Sequence, residues 1–135
     1  MSRYTLQRYI NPVEVGINSA PLNVTTTGNS LDVRGFNQLT LEIDHTVNTS
    51  ATAIAIYLEG TDSLAGTPVW RRAQSGALAA GTMTLTDLVW SKTVAAAKSW
   101  MINHGINNYY IRLVCSSTGG AATDLLTIRA RLGVS

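Results

Sequence analysis

Charged side chains are scarce in this chain of 135 residues, at 13% of the sequence. That is about half of the share found in ordinary soluble domains. Ten basic and eight acidic residues leave a net charge of +2, which is too small and too dispersed to indicate a nucleic-acid-binding surface. Only two of the basic residues are Lys. Since Arg is favoured and Lys is depleted where proteins contact each other, this bias favours an interaction protein.

The chain has a single cysteine, so an internal disulfide is excluded. Cys115 lies in an apolar run and is predicted to be a small buried side chain. The first nine residues lack the apolar core of a signal peptide, and no apolar run is long enough to span a membrane. We therefore expect a protein that is made in a cytoplasm and kept there or assembled there into something larger, with no membrane or nucleic acid as partner.

No arrangement of residues typical of an enzyme is present. His45 and His104 fall in predicted turns, away from other metal ligands at metal-site spacing. Glu42 and Glu59 come from opposing arms of a predicted hairpin and would face the same side, but solvated strand charges are the simpler interpretation of this pair. There is no nucleophile elbow, phosphate-binding glycine loop or dinucleotide fingerprint. We predict no enzymatic activity, no catalytic residue, no metal site and no cofactor.

Alternation of apolar and polar residues is the strongest signal in the sequence. From Phe36 to Glu59 it predicts two β-strands, joined by a polar turn into a hairpin with one apolar face. Such a face needs a second sheet laid over it. The inward side chains are predicted to be Leu39, Leu41, Ile43, Ile54, Ile56 and Leu58.

Weaker alternation continues on both sides of this stretch. Val13–Ile17 is predicted to be a short strand, and Pro68–Ala73 another. Ser75–Thr82 reads as a small-residue connection. Tyr109–Ser116 is apolar on both sides except at Arg112 and is predicted to be a central, buried strand. Ser116–Thr123, with its two glycines, is predicted to be the turn of a last hairpin.

Together these segments give about eight to ten short strands, with turn signals every ten residues or so and no substantial helix. They predict an all-β fold, an antiparallel β-sandwich of jelly-roll-like or Ig-like type. At this length we expect a single domain. Residues 1–35 are predicted to hold extended strands and a possible arm, and residues 36–135 the sandwich core. The arm would pair with an edge strand of its own sheet or of a neighbouring subunit.

Two places are candidates for partner contact. One is the Trp70-Arg71-Arg72 stretch, because exposed aromatic and Arg side chains are enriched in protein interfaces. The other is the possible arm, with Arg3, Tyr4 and Arg8. Trp and Tyr side chains on a β-sandwich also stack on sugar rings, although core packing is the more common role for any one Trp. The aromatic residues considered for such stacking are Trp70, Trp90, Trp100, Tyr57, Tyr109 and Tyr110.

From Phe36 onward the sequence resembles the head decoration (cement) proteins of tailed bacteriophages and related accessory virion proteins. The resemblance lies in F-x-x-L-x-L-x-I-D from Phe36 to Asp44, a Trp after Pro68-Val69, and Y-Y-I-R-L from Tyr109 to Leu113. It covers roughly the last hundred residues. It implies a non-enzymatic capsid decoration protein in the virion, a trimer or dimer, that contacts the major capsid protein or other virion proteins across capsomer joints. The alternatives are a head–tail, tail or fibre component and a carbohydrate-binding sandwich for host attachment.

Overall fold

The computed structural model of the protein describes residues 7–46, 53–93 and 98–134. Nine strands in this part of the chain have four residues or more, and the single helix described has four. No described helix is long and apolar enough to cross a membrane. In chain order the elements are β1 (Gln7–Ile10), α1 (Pro12–Val15), β2 (Ala20–Pro21), β3 (Thr26–Thr27), β4 (Leu31–Asp32), β5 (Gln38–Thr46), β6 (Ala53–Thr61), β7 (Arg71–Arg72), β8 (Gln74–Ala79), β9 (Thr82–Asp87), β10 (Val89–Thr93), β11 (Lys98–Gly105), β12 (Tyr110–Thr118) and β13 (Leu125–Gly133).

Two antiparallel sheets form the body of the protein. Sheet 1 has the order β1-β13-β5-β11, and β2 also pairs with β13. Sheet 2 has the order β10-β6-β12-β3, with β4 beside β12 and β7 beside β6. The inner faces of both sheets contribute to one hydrophobic cluster. The predicted all-β sandwich is therefore confirmed.

The core is built from the side chains that alternation placed inward. Leu39, Leu41 and Ile43 of β5 are buried, as are Ile54, Ile56 and Leu58 of β6. Each such side chain stabilises the fold by roughly 1.5–3 kcal/mol relative to an exposed one. Strand β12 is confirmed as central in its sheet, between β6 and the short strands β3 and β4.

The predicted hairpin from Phe36 to Glu59 is wrong, because β5 and β6 lie in different sheets. The chain crosses from sheet 1 to sheet 2 between them, so that their apolar faces meet across the core. The last predicted hairpin is wrong for the same reason, since β12 belongs to sheet 2 and β13 to sheet 1. Alternation identifies the apolar face of a strand, but that face can be buried equally well whether the next strand follows in a hairpin or lies in the other sheet.

The predicted strand Val13–Ile17 is also wrong, because Pro12–Val15 forms one helical turn. The side chain of Asn11 accepts a hydrogen bond from the Glu14 N–H at 2.9 Å, and Pro12 occupies the first turn. Gly16 ends the helix with φ of 83°. A Cβ atom there would lie 2.7 Å from the backbone nitrogen of Asn29, so both conformation and space call for glycine.

The segment 7–35 lies on the side of the sandwich formed by β13 and β12. Strands β1 and β2 extend sheet 1, and β3 and β4 extend sheet 2. Residues 1–6 lie outside the described residues, and the possible arm within residues 1–35 and the division of the chain at residue 35 stay predictions. Core side chains from this segment include Ile10, Val15, Ile17, Leu22, Leu31 and Val33.

On the opposite side, one edge of sheet 2 is interrupted by a projecting ribbon. Strand β7 pairs with β6 at Glu59 and Gly60, and β10 pairs with the same edge from Tyr57 onward. Between them the chain leaves the sheet as β8, turns at Ala80-Gly81 and returns as β9. The predicted connection Ser75–Thr82 is therefore wrong, since most of it is strand β8. We call residues 74–87 the hairpin.

Candidate contact surface

The predicted contact residues Trp70 and Arg72 belong to a row of stacked charges and rings on the outer face of sheet 2. Glu59 of β6 accepts a hydrogen bond from Nε of Arg112 at 2.7 Å, and its other oxygen lies 3.5 Å from Nε of Arg72. The Arg112 guanidinium carbon lies 4.4 Å from the centre of the Trp70 ring. The Arg72 guanidinium carbon lies 3.9 Å from the centre of the Tyr57 ring. We call Tyr57, Arg72, Glu59, Arg112 and Trp70 the arginine ladder.

Register explains how this row forms. Arg112 of β12 lies directly opposite Glu59 of β6, and Arg72 of β7 lies opposite the same Glu59 on the other side. Directly opposed residues point to the same face of a sheet, so the three charges meet on the outer face. The Glu59 side chain is only 12% exposed. Two Arg donors therefore satisfy a carboxylate that is largely removed from water.

The ladder continues into the base of the hairpin through Asp87. Its Oδ2 accepts a hydrogen bond from Arg72 at 3.1 Å, and its Oδ1 accepts one from the Gln74 amide at 2.9 Å. These two hydrogen bonds, Gln74 first, lower the pKa of Asp87, and the bond to Asp87 raises the pKa of Arg72. In the backbone, the Ala73 N–H donates a hydrogen bond to the Leu58 carbonyl at 2.8 Å. The base of the hairpin is thus fixed to sheet 2.

Arg71 is placed differently from its neighbour Arg72. It lines an open depression of about 270 Å³ together with Gly60, Asp62 and Asn108. Among the described residues no ion pair involves Arg71. The preceding loop exposes Leu64 and Val69. We call Leu64, Val69 and Arg71 the Arg71 corner.

The predicted contact residues of the N-terminal segment are only partly described. Arg3 and Tyr4 lie outside the described residues. Arg8 donates a hydrogen bond to the carbonyl of Asp32 at 3.2 Å and lies 3.5 Å from the Glu14 carboxylate. It therefore links β1 at the edge of sheet 1 to β4 at the edge of sheet 2. Whether any of the six predicted residues contacts a partner stays a prediction.

Sequence reasoning missed the hairpin and Arg112. Met83 and Leu85 of β9 are 58% and 61% exposed, and every residue from Ala79 to Thr86 is exposed. No residue from Ala73 to Thr86 is charged. The alternation of Met83 and Leu85 with threonines predicted a strand, which β9 confirms, but not its pairing with β8. The pairing of Arg112 with Glu59 had no local signal, because the two lie far apart in the sequence.

Most of the aromatic side chains considered for sugar stacking already have partners. Trp70 and Tyr57 are covered by ladder arginines, and Arg34 lies over Tyr110 at 5.3 Å. Trp90 packs against the core and meets the His104 ring edge-on at 5.3 Å between centres. Trp100 also packs against the core. Tyr109 is the one of this set that is exposed. Carbohydrate binding stays a prediction, with fewer open ring faces than the sequence suggested.

The carboxylate pair considered from the sequence does not form. Glu42 lies on β5 in sheet 1, and Glu59 lies on β6 in sheet 2. Both occupy outward positions, so the full thickness of the sandwich separates them. Within the described part of the chain, no group of three or more His, Cys, Asp or Glu side chains is placed to hold a metal ion.

Two side chains that can ionise, Cys115 and His45, are buried. Cys115 is buried as predicted, and burial raises the pKa of its thiol to about 12. His45 was predicted in a turn but lies on β5, at the inward position that follows Ile43. Its ring is buried, and neither ring nitrogen has a hydrogen-bond partner within the described part of the chain. Burial therefore lowers the pKa of His45, against a smaller opposing effect of the Asp124 charge.

Comparisons with known proteins give structural similarities only. No family model matches the chain, and no curated protein matches it. The SPBc2 prophage-derived protein YomS is similar at 17% identity, with a TM-score of 0.48 over 98% of this chain and 96% of that one. A structure of infectious bursal disease virus, Gx strain, matches at 16% identity and a TM-score of 0.36 over 97% of this chain and 32% of that one. Identities this low carry no functional residue across.

Proposed function

We propose that the protein is a structural component of a virion that acts by protein–protein contact and, within that class, a capsid decoration protein. It reinforces joints between capsomers by binding the major capsid protein. Three features support this: the low charge, the strong preference for Arg over Lys, and the resemblance from Phe36 onward. Cementing requires contact area repeated over many copies and no chemistry, because a lattice multiplies weak contacts.

The observation that carries the proposal is the Arg71 corner. Leu64 and Val69 are exposed on the loop that precedes β7, and Arg71 of that strand has no ion pair among the described residues. Apolar side chains around an available Arg are the usual composition of an interface centre. The ladder behind the corner is fully partnered and holds Arg72 in place, so the corner is presented on a fixed support.

Co-sedimentation with expanded capsids that lack the protein tests the proposal. The native chain should pellet with the capsids, and Arg71→Ala should weaken binding by roughly tenfold or more, as removal of an interface Arg commonly does. Arg131→Ala, on the outer face of sheet 1, is the matched control and should bind as the native chain does. Deletion of residues 1–6 tests the arm without touching the core residue Ile10.

Two results would overturn parts of this assignment. If neither capsids nor isolated neck, tail or fibre proteins retain the native chain, the virion role is wrong. If the chain binds neck, tail or fibre but not capsids, the decoration role alone is wrong. A titration with sugars that quenches Trp or Tyr fluorescence would favour the carbohydrate-binding alternative instead.

A further inference from the structure

Strand β11 is an open edge of sheet 1. It pairs with β5 over eight residues, and no described strand pairs with its other side. Along such an edge, alternate residues direct their backbone N–H and C=O groups outward without a partner strand. From Ser99 to Gly105 the strand carries no proline and no Lys, Arg, Asp or Glu, which are the residues that commonly protect an edge. The edge is therefore suited to accept one further strand.

An acidic side chain without an ion pair lies beside this edge. Glu42 of β5 is directly opposite Met101 of β11, so both point to the outer face of sheet 1. Arg129 is opposite Glu42 on the other side, but its guanidinium donates a hydrogen bond to Asp44 at 2.6 Å. Among the described residues Glu42 forms no ion pair. Glu42 and Met101, which is 61% exposed, line an open depression of about 270 Å³. A strand that carries an outward Arg would complement this depression in charge.

The sequence of residues 1–6 has this pattern. Arg3 and Thr5 alternate with Tyr4 and Leu6. In a strand, that alternation places the Arg on one face and the two apolar side chains on the other. On the edge of β11 the Arg3 face would meet Glu42. The apolar face would extend the inward row of β11, whose Trp and Ile side chains pack against the core.

Residues 1–6 cannot pair with the β11 edge of their own copy. Gln7 begins β1 at the opposite edge of sheet 1, and the pairs from Gln7 through Gly133 and Gln38 place it level with Gly105 of β11. A strand added beyond β11 lies four strand spacings from β1, roughly 19 Å away. Six extended residues span at most roughly 20 Å, so the crossing alone would use all of them. A β11 edge on a second copy has no such restriction.

We propose that residues 1–6 of one copy of this chain add as a strand to the β11 edge of a second copy, with Arg3 paired to Glu42. The donor and the receiver lie at opposite edges of the same sheet, so each copy gives one strand and accepts one. Such a head-to-tail contact closes into a ring when the rotation between copies permits, and otherwise continues as a filament. The inference goes beyond the proposed function, because both partners are copies of this chain and no capsid takes part.

The test is the mass of the full-length protein in solution, measured by light scattering after size-exclusion chromatography at rising concentration. The native chain should exceed the monomer mass of 14.4 kDa. Deletion of residues 1–6 should give a monomer, because no donor strand remains. Arg3→Glu and Glu42→Arg should each lower the mass toward that of the monomer, because like charges then meet. The double variant Arg3→Glu/Glu42→Arg should regain the native mass, because the reversed pair attracts again.

Mixing two variants separates this mechanism from other forms of association. The deletion variant keeps an intact β11 edge, and Glu42→Arg keeps an intact donor. An equimolar mixture should therefore give a species of about twice the monomer mass and nothing larger, since one donor meets one receiver. Asp62→Arg is the matched control, because it makes the same change of charge at an exposed acid beyond the end of β6, and it should keep the native mass. Circular dichroism and the urea midpoint of each variant verify folding.

Three outcomes would overturn the proposal. The first is a native chain that stays monomeric at the highest concentration reached. If deletion of residues 1–6 then abolishes capsid binding, those residues belong to the capsid contact and the proposed function is left intact. The second is a deletion variant that keeps the native mass. The third is a folded double variant that stays as dissociated as Arg3→Glu alone. Failure of the Arg71→Ala test, with a normal oligomer, would count against the proposed function alone.

Discussion

Strands β5 and β9 both alternate apolar side chains with threonines and acids. In β5 the apolar side chains Leu39, Leu41 and Ile43 are at most 1% exposed, whereas Met83 and Leu85 of β9 are more than half exposed. What differs is the layer opposite. Strand β5 faces β6 across the core, while no described part of the chain covers β9. Alternation thus creates a face that needs cover, and the rest of the chain determines whether the protein itself provides it.

This difference separates residues that stabilise the fold from residues that are available for contact. A buried Leu contributes packing that cannot be replaced when it is truncated. An exposed Leu on the hairpin contributes little to the isolated chain. Its importance is expected to appear only in an assembly, where its apolar area is removed from water.

The largest predicted effect comes from truncating a Leu of β5 to Ala, and the same truncation in β9 serves as the comparison. Leu41→Ala should lower the free energy of unfolding by about 3 kcal/mol, because it leaves a cavity in the core. Leu85→Ala should change it by less than about 0.5 kcal/mol. Urea unfolding followed by circular dichroism, at a concentration where the chain is monomeric, measures both. Equal losses for the two variants would contradict the view that the hairpin stands apart from the core.

The second effect concerns the arginine ladder, which joins the hairpin to the body. Glu59→Gln should cost about 2 kcal/mol of unfolding free energy, because the partly buried Arg112 loses its charged hydrogen-bond acceptor. The control is Asp32→Asn at the exposed Asp32–Arg34 pair, where the N–O distance is 2.6 Å. Such surface pairs contribute little despite good geometry. No loss for Glu59→Gln would mean that the ladder is held by packing rather than by charge.

The third prediction concerns the pH dependence of stability that the buried His45 of β5 should cause. Because burial lowers the pKa of His45 below its unfolded value, the unfolded chain binds the proton more readily than the folded chain. Stability should therefore be complete above the unfolded pKa of about 6.5 and fall as pH drops through it, by at most about 1.4 kcal/mol per pH unit. His45→Leu should flatten this slope in urea midpoints measured from pH 7.5 to 5.5.

Two other groups with shifted pKa values do not titrate within the pH window of the His45 test. Hydrogen bonds from Ser99 and Arg129 lower the pKa of Asp44, so that this carboxylate stays ionised throughout. Cys115 has a pKa of about 12 and stays protonated. A slope that persists in His45→Leu would assign the pH dependence to a group other than His45.

The same contrast shows how much of the fold could be predicted from sequence. Period-two alternation correctly identified the inward faces of β5 and β6, because burial on one face is a local property of a strand. It failed to identify strand partners, because six residues between β5 and β6 suffice for either a turn or a crossing between sheets. For α1 the signals were present, in Asn11, Pro12 and Gly16, but the alternation of Val13, Val15 and Ile17 competed with them.

The candidate site was predictable only in part. The Trp70-Arg71-Arg72 stretch was singled out by composition, and the structure places all three at one edge of sheet 2. Composition could not distinguish Arg72, which is committed to Glu59 and Asp87, from Arg71, which is not. That distinction depends on the register of three strands distant in sequence. The hairpin was missed because its small residues give β8 almost no alternation.

The smallest predicted effect is confined to the hairpin turn. Ala80 and Gly81 have φ of 50° and 79°, which matches the turn that favours Asn-Gly. Ala80→Asn should relieve the strain of a left-handed alanine and stabilise the hairpin by about 0.5–1 kcal/mol. Because the side chains from Ala79 to Thr86 are exposed, this gain should appear as slower amide exchange in β8 and β9 and leave the urea midpoint unchanged. A midpoint that rises with the hairpin's protection would show that the two regions unfold together, and the division between core and contact element would then have to be abandoned.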